Sequence, residues 1–142
     1  MSYYEYKLGR EYMARLDHDA DLLRAITDLA KDAGVKNGRF TAIGALKNAR
    51  IGYYNQDKQV YQDLIIDNHC ELAACIGNVS TKDGETFVHA HVVLSDDAGN
   101  TMAGHLLKGT VFAAEVHLRE LTGPDLERKY DDVTGLSLWD IK

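Results

Sequence analysis

Three histidines in a hairpin-like stretch are the residues of this sequence best suited to chemistry. The stretch F-V-H-A-H-V-V-L-S-D-D-A-G-N-T-M-A-G-H-L-L-K-G contains His89, His91 and His105, which are three of the six histidines in the chain. His89 and His91 are two residues apart, so on a β-strand both side chains point to the same face. A His-x-His pair is also common on solvent-facing sheets that hold no site, and the third histidine therefore decides the interpretation.

The turn between the two predicted strands determines whether the third histidine joins the pair. Asp97-Ala98-Gly99 fits a three-residue hairpin loop, in which a type I turn is followed by a left-handed residue, usually glycine. This loop places His105 directly opposite His91 and pairs His89 with Leu107, so that all three imidazoles share one face. A loop of two or four residues would instead send His105 to the other face.

Three imidazoles that meet on one patch favour a metal site. Protonated rings would repel one another, and buried neutral rings would each need a hydrogen-bond partner. A divalent metal removes both difficulties because it takes a lone pair from each ring. Three protein ligands with an open fourth position are typical of zinc sites that hold water or a substrate. Zinc is the first prediction, although nickel, iron and copper also accept imidazole.

A carboxylate further along the chain is the candidate for proton transfer. Glu115 and His117 share one face of the strand predicted over residues 110–121. Beside a metal site, Glu115 could orient a ligand imidazole or carry a proton as a catalytic residue. The ordinary alternative is an ion pair at the rim of the sheet. His18, next to a helix cap, and His69, at the start of a strand, are predicted to be surface residues.

The elements that would position these residues are mostly strands. A helix is predicted up to Gly34, capped by Asp17 or Asp19, because apolar residues follow helical spacing from Leu22 to Ala33. The predicted strands cover residues 3–8, 11–16, 39–48, 49–55, 59–66, 71–79, 85–94, 101–107, 110–121 and 135–139, with one helical turn at 125–130. Consecutive strands joined by tight turns predict an α+β fold, a mainly antiparallel β-sheet with one long α-helix packed on it.

Size and charge limit the classes of function. The chain has 142 residues, which suits a single domain over residues 1–142 with one core. No apolar run is long enough to span a bilayer, and the N-terminus lacks a signal peptide, so we expect a cytoplasmic protein without membrane contact. The net charge is −6, and direct nucleic-acid binding is doubtful because it depends on basic residues. Cys70 and Cys75 are predicted to be reduced thiols on opposite faces of a strand.

Seven stretches of the sequence resemble the plants-and-prokaryotes-conserved (PPC) domain. They are D-A-D-L-L-R-A-I-T-D-L-A, F-T-A-I-G-A-L, I-G-N-V-S, F-V-H-A-H-V-V-L-S-D, A-G-H-L-L-K-G-T-V, A-E-V-H-L and T-G-L-S-L. They cover nearly the full chain in the expected order, and H-x-H followed by G-H-L is the most specific part. The family usually shows G-G-H-L, whereas this chain has Ala103 at the first glycine, and its methyl group could narrow the approach to the site.

The resemblance implies a homotrimer in which a helix lies on a mainly antiparallel sheet. His89, His91 and His105 match the positions where prokaryotic members carry a metal-like site, so a divalent metal and a small-molecule ligand at that metal are expected. The predicted function is therefore that of a small cytoplasmic homotrimeric protein with a three-histidine metal site. The resemblance does not identify a reaction.

The alternative is a DNA-binding or transcription-associated protein-interaction module. The plant domain occurs in AT-hook nuclear-localised proteins and associates with transcription factors, and prokaryotic members often carry the label of DNA-binding protein. This chain lacks the R-G-R-P core of an AT-hook, since Gly38-Arg39-Phe40 is its nearest approach, and nothing else would insert arginine into a minor groove. Protein partners are the more reasonable form of the alternative, with the tyrosines near the N-terminus as a contact surface.

Overall fold

A mostly antiparallel sheet with a single short helix makes up the part of the chain that the computed structural model describes, residues 1–141. The strands are β1 (Lys7–Leu16), β2 (Gly38–Asn55), β3 (Val60–Ile66), β4 (Cys70–Lys82), β5 (Glu85–Ser95), β6 (Thr101–Thr122), β7 (Glu127–Asp131) and β8 (Leu136–Trp139). The helix α1 (Leu22–Asp32) lies between β1 and β2 in the chain. Residues 1–141 contain no helix with the length and apolar character that crossing a bilayer requires.

The strands follow the order β3-β2-β6-β5-β4-β7-β8, and β1 pairs with β6. Because β2 also pairs with β4, the strands β2, β6, β5 and β4 form a closed ring of hydrogen-bonded neighbours. Every pairing is antiparallel except that of β4 with β7. Buried side chains such as Phe40, Leu72, Val92, Leu106 and Leu118 fill the core, which also contains the buried face of α1. The other face of the ring is the outer face of the sheet.

The helix is shorter than predicted, with 11 residues rather than one long segment. Neither Asp17 nor Asp19 caps it, because Asp19 has a φ of 66° and interrupts the approach to the helix. Asp21 is the N-cap, and its side chain accepts a hydrogen bond from the backbone N–H of Arg24 at 2.9 Å. Gly34, with a φ of 65°, ends the helix at the predicted position.

Several predicted strand boundaries are wrong because long strands continue through irregularities. Gly38–Asn55 is one strand, and Thr101–Thr122 is another, although two strands are predicted in each of these regions. The shifts in register between β2 and β6 show that bulges absorb these irregularities without ending the strands. Residues 125–130 form no helical turn, because Glu127–Asp131 is the strand β7.

The two cysteines are free and buried, as predicted, but they do not lie on opposite faces of the strand. Cys70, Leu72 and Cys75 all contribute to the core. A register shift between Leu72 and Ala74 in the β4–β5 pairing inserts one residue and reverses the alternation. Burial raises the pKa of the Cys75 thiol to about 12, so this thiol stays protonated at neutral pH.

Candidate metal centre

The hairpin of β5 and β6 has the register predicted from its turn. The ladder runs from the Ser95–Thr101 pair to the His91–His105 pair. At its closed end the Asp96 N–H donates to the Asn100 carbonyl at 3.1 Å, and Gly99 adopts a φ of 80°. The prediction that His105 lies opposite His91 is therefore confirmed. The ladder ends at this pair, so the predicted pairing of His89 with Leu107 is not part of it.

All three histidines lie on the outer face of the sheet, close together. In β5 the flanking residues Val88, Ala90 and Val92 are buried in the core, so His89 and His91 point the other way. The ring centroids are 5.0 Å apart for His89 and His105, 5.1 Å for His89 and His91, and 5.5 Å for His91 and His105. One ligand atom from each residue lies within 4.8 Å of the other two.

Burial keeps two of these imidazoles neutral. Desolvation, followed by repulsion from His105, Arg128 and His91, lowers the pKa of His89 to about 4. Desolvation is also the main cause that lowers the pKa of His105, with His91 and Arg128 contributing. His91 is exposed and lies on the solvent side of the cluster. Neutral rings have the lone pairs that a metal ligand needs.

A buried nitrogen at this cluster has no hydrogen-bond partner among residues 1–141. It is the Nδ1 atom of His105. A buried polar atom in this condition costs free energy, and native structures rarely leave one without a reason. The set of donors, three imidazole nitrogens without a carboxylate, fits a divalent metal of intermediate softness such as Zn²⁺. The residues present therefore suit the metal that the sequence predicted.

Tyr61 from β3 covers one side of the cluster. Its ring centroid lies 5.0 Å from that of His105, with a second contact to Tyr54 at 5.0 Å. Gly52 pairs with His105 across β2 and β6, and a Cβ atom at Gly52 would lie 2.8 Å from Cδ1 of Tyr61. The absence of a side chain at Gly52 thus lets Tyr61 lie over His105. Sequence reasoning missed this contact, because β3 was predicted without its partner.

Arg128 is the second residue near the cluster that sequence reasoning missed. It is only 7% exposed, and its guanidinium contributes to lowering the pKa of both His89 and His105. Its position depends on the parallel pairing of β7 with β4, where Lys82 lies opposite Arg128. No local sequence signal could place an arginine 39 positions after His89 beside that histidine.

The structure does not bring Glu115 to the three histidines. Glu115 is exposed on β6, opposite Ile43 of β2 and Arg15 of β1. It lies ten residues after His105, which corresponds to up to about 30 Å along an extended strand. Its role as a catalytic proton carrier stays a prediction without support from the geometry of one chain.

The remaining histidines have ordinary surroundings. His117, on the same strand, lies 3.7 Å from the carboxylate of Glu11, which matches the ion pair given as the alternative. The Nδ1 atom of His18 lies 2.7 Å from the carbonyl oxygen of Phe112, and His69 is exposed, as predicted for both surface residues. The cluster of His89, His91 and His105 is thus the group of potential metal ligands that the described residues assemble.

Comparison with solved structures finds close likeness over the whole chain. A metal-containing protein of Archaeoglobus fulgidus is 40% identical with a TM-score of 0.94, and the match covers 98% of this chain and 99% of that one. A plant- and prokaryote-conserved (PPC) protein of Pyrococcus horikoshii is 43% identical with a TM-score of 0.92, covering 96% and 94%. A Bacteroides thetaiotaomicron structure named "putative dna binding protein" is 24% identical with a TM-score of 0.87, covering 97% of each chain, and shows the fold alone.

The family assignment follows from the sequence as well as the fold. None of the curated proteins matches the chain. The family model of the Plants and Prokaryotes Conserved (PCC) domain matches residues 3–122, which include all three histidines of the cluster. The chain therefore belongs to the Plants and Prokaryotes Conserved domain family, abbreviated PCC or PPC.

Proposed function

We propose that this protein holds a divalent metal, zinc in the first instance, on His89, His91 and His105 and binds a small molecule at the open coordination position. The convergence of three imidazoles, one of which has a buried nitrogen without a hydrogen-bond partner in the described part of the chain, is the observation that carries the proposal. The Archaeoglobus relative, named as metal-containing, supports it at 40% identity.

Each residue of the cluster contributes differently to such a site. His89 and His105 are half-buried and neutral, so they are ready to donate a lone pair without first losing a proton. Tyr61 shields the ring of His105, and the exposed His91 leaves the solvent side open for a ligand. A bound divalent metal would supply Lewis-acid polarisation of that ligand.

Metal analysis of protein purified without a polyhistidine tag tests this proposal. We expect about one divalent ion per chain in the wild type and none in the His91→Ala/His105→Ala double variant, because one imidazole cannot hold the ion alone. His69→Ala is the matched control, since His69 is exposed and outside the cluster. Equal metal content in the wild type and the double variant would rule the site out.

A homotrimer in the cytoplasm is the second part of the proposal. Apolar side chains remain exposed on the outer face beside the histidines, with Ile76 opposite His91 at 60% exposure and Val93 at 36%. Such a patch is typical of a surface that a partner covers. Two buried free thiols are compatible with a reducing compartment. Light scattering should give about three times the 15.8 kDa mass of one chain, and a monomer would contradict this part.

Direct DNA binding is not proposed, because no feature of the site favours it. The net charge of −6 opposes binding to a polyanion. The solved structures named as putative DNA-binding proteins are only 24% identical in sequence to this chain. Association with protein partners stays a prediction from the family resemblance.

A further inference from the structure

Arg128 lies across the outer face of β4 and β5 next to the histidine cluster. Its Nε donates to Ser80 Oγ at 2.9 Å, its Nη2 to Asn78 Oδ1 at 2.9 Å, and its Nη1 to the Ser137 carbonyl at 2.8 Å. In the β4–β5 pairing, Asn78 is directly opposite His89. One and the same patch of sheet therefore presents both the guanidinium and the first imidazole of the cluster.

The charge of Arg128 has no counterion among residues 1–141. Its three acceptors are a hydroxyl, an amide oxygen and a carbonyl, and no carboxylate of these residues lies within ion-pair distance. The rings of Phe87 and Trp139, with centroids 5.1 and 5.5 Å from Cζ, stabilise the cation only in part. A guanidinium that is 7% exposed without a counterion is costly, and buried charges are normally paired.

The hydrogen bonds of Arg128 leave a specific capacity unused. A guanidinium has five N–H donors, and three bonds, one from each nitrogen, account for three of them. One N–H therefore remains on each terminal nitrogen. Each of these two N–H groups can donate to an oxygen of a carboxylate.

A cleft gives an anion access to this position. It has a volume of about 520 Å³, and its lining includes Asn78, His89, Arg128, Leu138 and Trp139. This is within the range of small-molecule sites. A divalent cation on the histidines would add positive charge beside Arg128, while the cluster itself contains no carboxylate. An anion between the two cations would compensate both.

We propose that this cleft binds a small organic carboxylate, with the carboxylate on the two unused N–H groups of Arg128 and the rest of the molecule directed towards His89. That the ligand is a carboxylate is inferred from the unused N–H groups of Arg128. That it binds beside a metal ion rests on the proposed function. The apolar side chains of Leu138 and Trp139 would contact the carbon skeleton.

Propionate and its uncharged analogue propionamide are the probes, because they differ mainly in charge. In titrations of the zinc-supplemented protein followed by nuclear magnetic resonance, the Arg128 Nε–H signal and the backbone amide signals of residues 78 and 89 should shift and saturate with propionate. Propionamide should leave them in place. Equal responses to the two probes, or no response to propionate, would overturn the proposal.

Substitutions then assign the response to the guanidinium. Arg128→Met should raise the propionate midpoint about tenfold or more, and Arg128→Lys should recover part of it, because lysine retains the charge without the fork. Arg24→Met is the matched control on the exposed helix surface and should leave the midpoint unchanged. An unchanged midpoint in Arg128→Met would contradict the proposal. If that variant does not fold, the wild-type Arg128 Nε–H signal decides alone.

The outcomes separate this inference from the metal site. Metal bound by the histidines, with an Arg128 signal that ignores propionate, would contradict only the carboxylate cleft. Saturable propionate binding at Arg128 in a protein that never takes up metal would contradict only the proposed metal function.

Discussion

Two histidines on the outer face of β6, His105 and His117, stand in opposite electrostatic surroundings. His105 lies among two other imidazoles and near the cation of Arg128, with no carboxylate in the group. His117 lies 3.7 Å from Glu11, whose carboxylate also pairs with Arg119. On one strand, His105 is therefore surrounded by other imidazoles and a cation, whereas His117 has an anion beside it.

The difference shows what makes a histidine a candidate ligand. Spacing on a strand is shared by both positions, since each alternates with buried residues such as Leu106 and Leu118. His117 has a local partner, the carboxylate of Glu11 at 3.7 Å. His105 has a desolvated ring, and its buried Nδ1 has no hydrogen-bond partner among residues 1–141, which is why we propose a metal ion at this position.

The effect of zinc on the free energy of unfolding should differ most strongly between variants at the two ends of β6, at His105 and at His117. Free zinc at one hundred times its dissociation constant should stabilise the wild type by about 3 kcal/mol, because the folded state binds the ion. His105→Ala should remove this gain, and His117→Ala should keep it. Thermal unfolding with and without zinc measures the effect. A gain that survives in His105→Ala would contradict the assignment.

A methyl group at Gly77 of β4 should have the next largest effect, because it would disturb the cluster of His89, His91 and His105. A Cβ atom there would lie 2.3 Å from the carbonyl oxygen of His89 and 2.3 Å from Cζ of Phe40. Gly77→Ala should therefore displace β5, destabilise the fold by about 1–3 kcal/mol and weaken metal binding. Chemical denaturation and a zinc titration check this. Gly84→Ala, at an open turn position, should leave zinc affinity unchanged.

Acid should destabilise the metal-free protein because of His89 in the histidine cluster. The folded pKa of His89, about 4, lies below its ordinary value of 6.5, so the unfolded chain binds the proton more readily in that interval. Stability should be fully present above pH 6.5 and fall by roughly 1 kcal/mol towards pH 4, after allowance for partial exposure. His89→Asn should flatten the profile measured by denaturation. A profile that is identical in that variant would contradict this account.

The other end of β6 should respond only weakly to loss of its ion pairs. Glu11 is about half exposed, at 49% of its side chain, where such pairs contribute little. Glu11→Gln should cost less than about 1 kcal/mol and leave metal content as in the wild type. Denaturation and metal analysis of the same sample test both statements. Loss of metal in this variant would show that the two ends are coupled.

Local chemistry explains which parts of the structure the sequence predicts well. The loop Asp97-Ala98-Gly99 contains its own register signal, and this signal was enough to place His105 opposite His91. The spacing of apolar residues predicts the helix equally well. It does not predict where the helix starts, because Asp19 adopts a left-handed conformation and Asp21 is the N-cap.

Long-range pairing explains what the sequence could not predict. The bulge in β4 that brings Cys75 to the core changes no residue type, so alternation alone misplaced the cysteines. Arg128 reaches His89 only because β7 pairs in parallel with β4, and Tyr61 reaches His105 only because β3 pairs with β2. The ligands of the candidate site were therefore predictable from one hairpin, whereas their surroundings required the whole sheet.

A crystal structure of untagged protein, with an anomalous difference map recorded at the zinc absorption edge, tests the central claim most directly. We predict one peak per chain among His89, His91 and His105, about 2.1 Å from a ring nitrogen of each. A well-ordered site whose three imidazoles surround only water, with no anomalous peak after zinc supplementation, would contradict the claim.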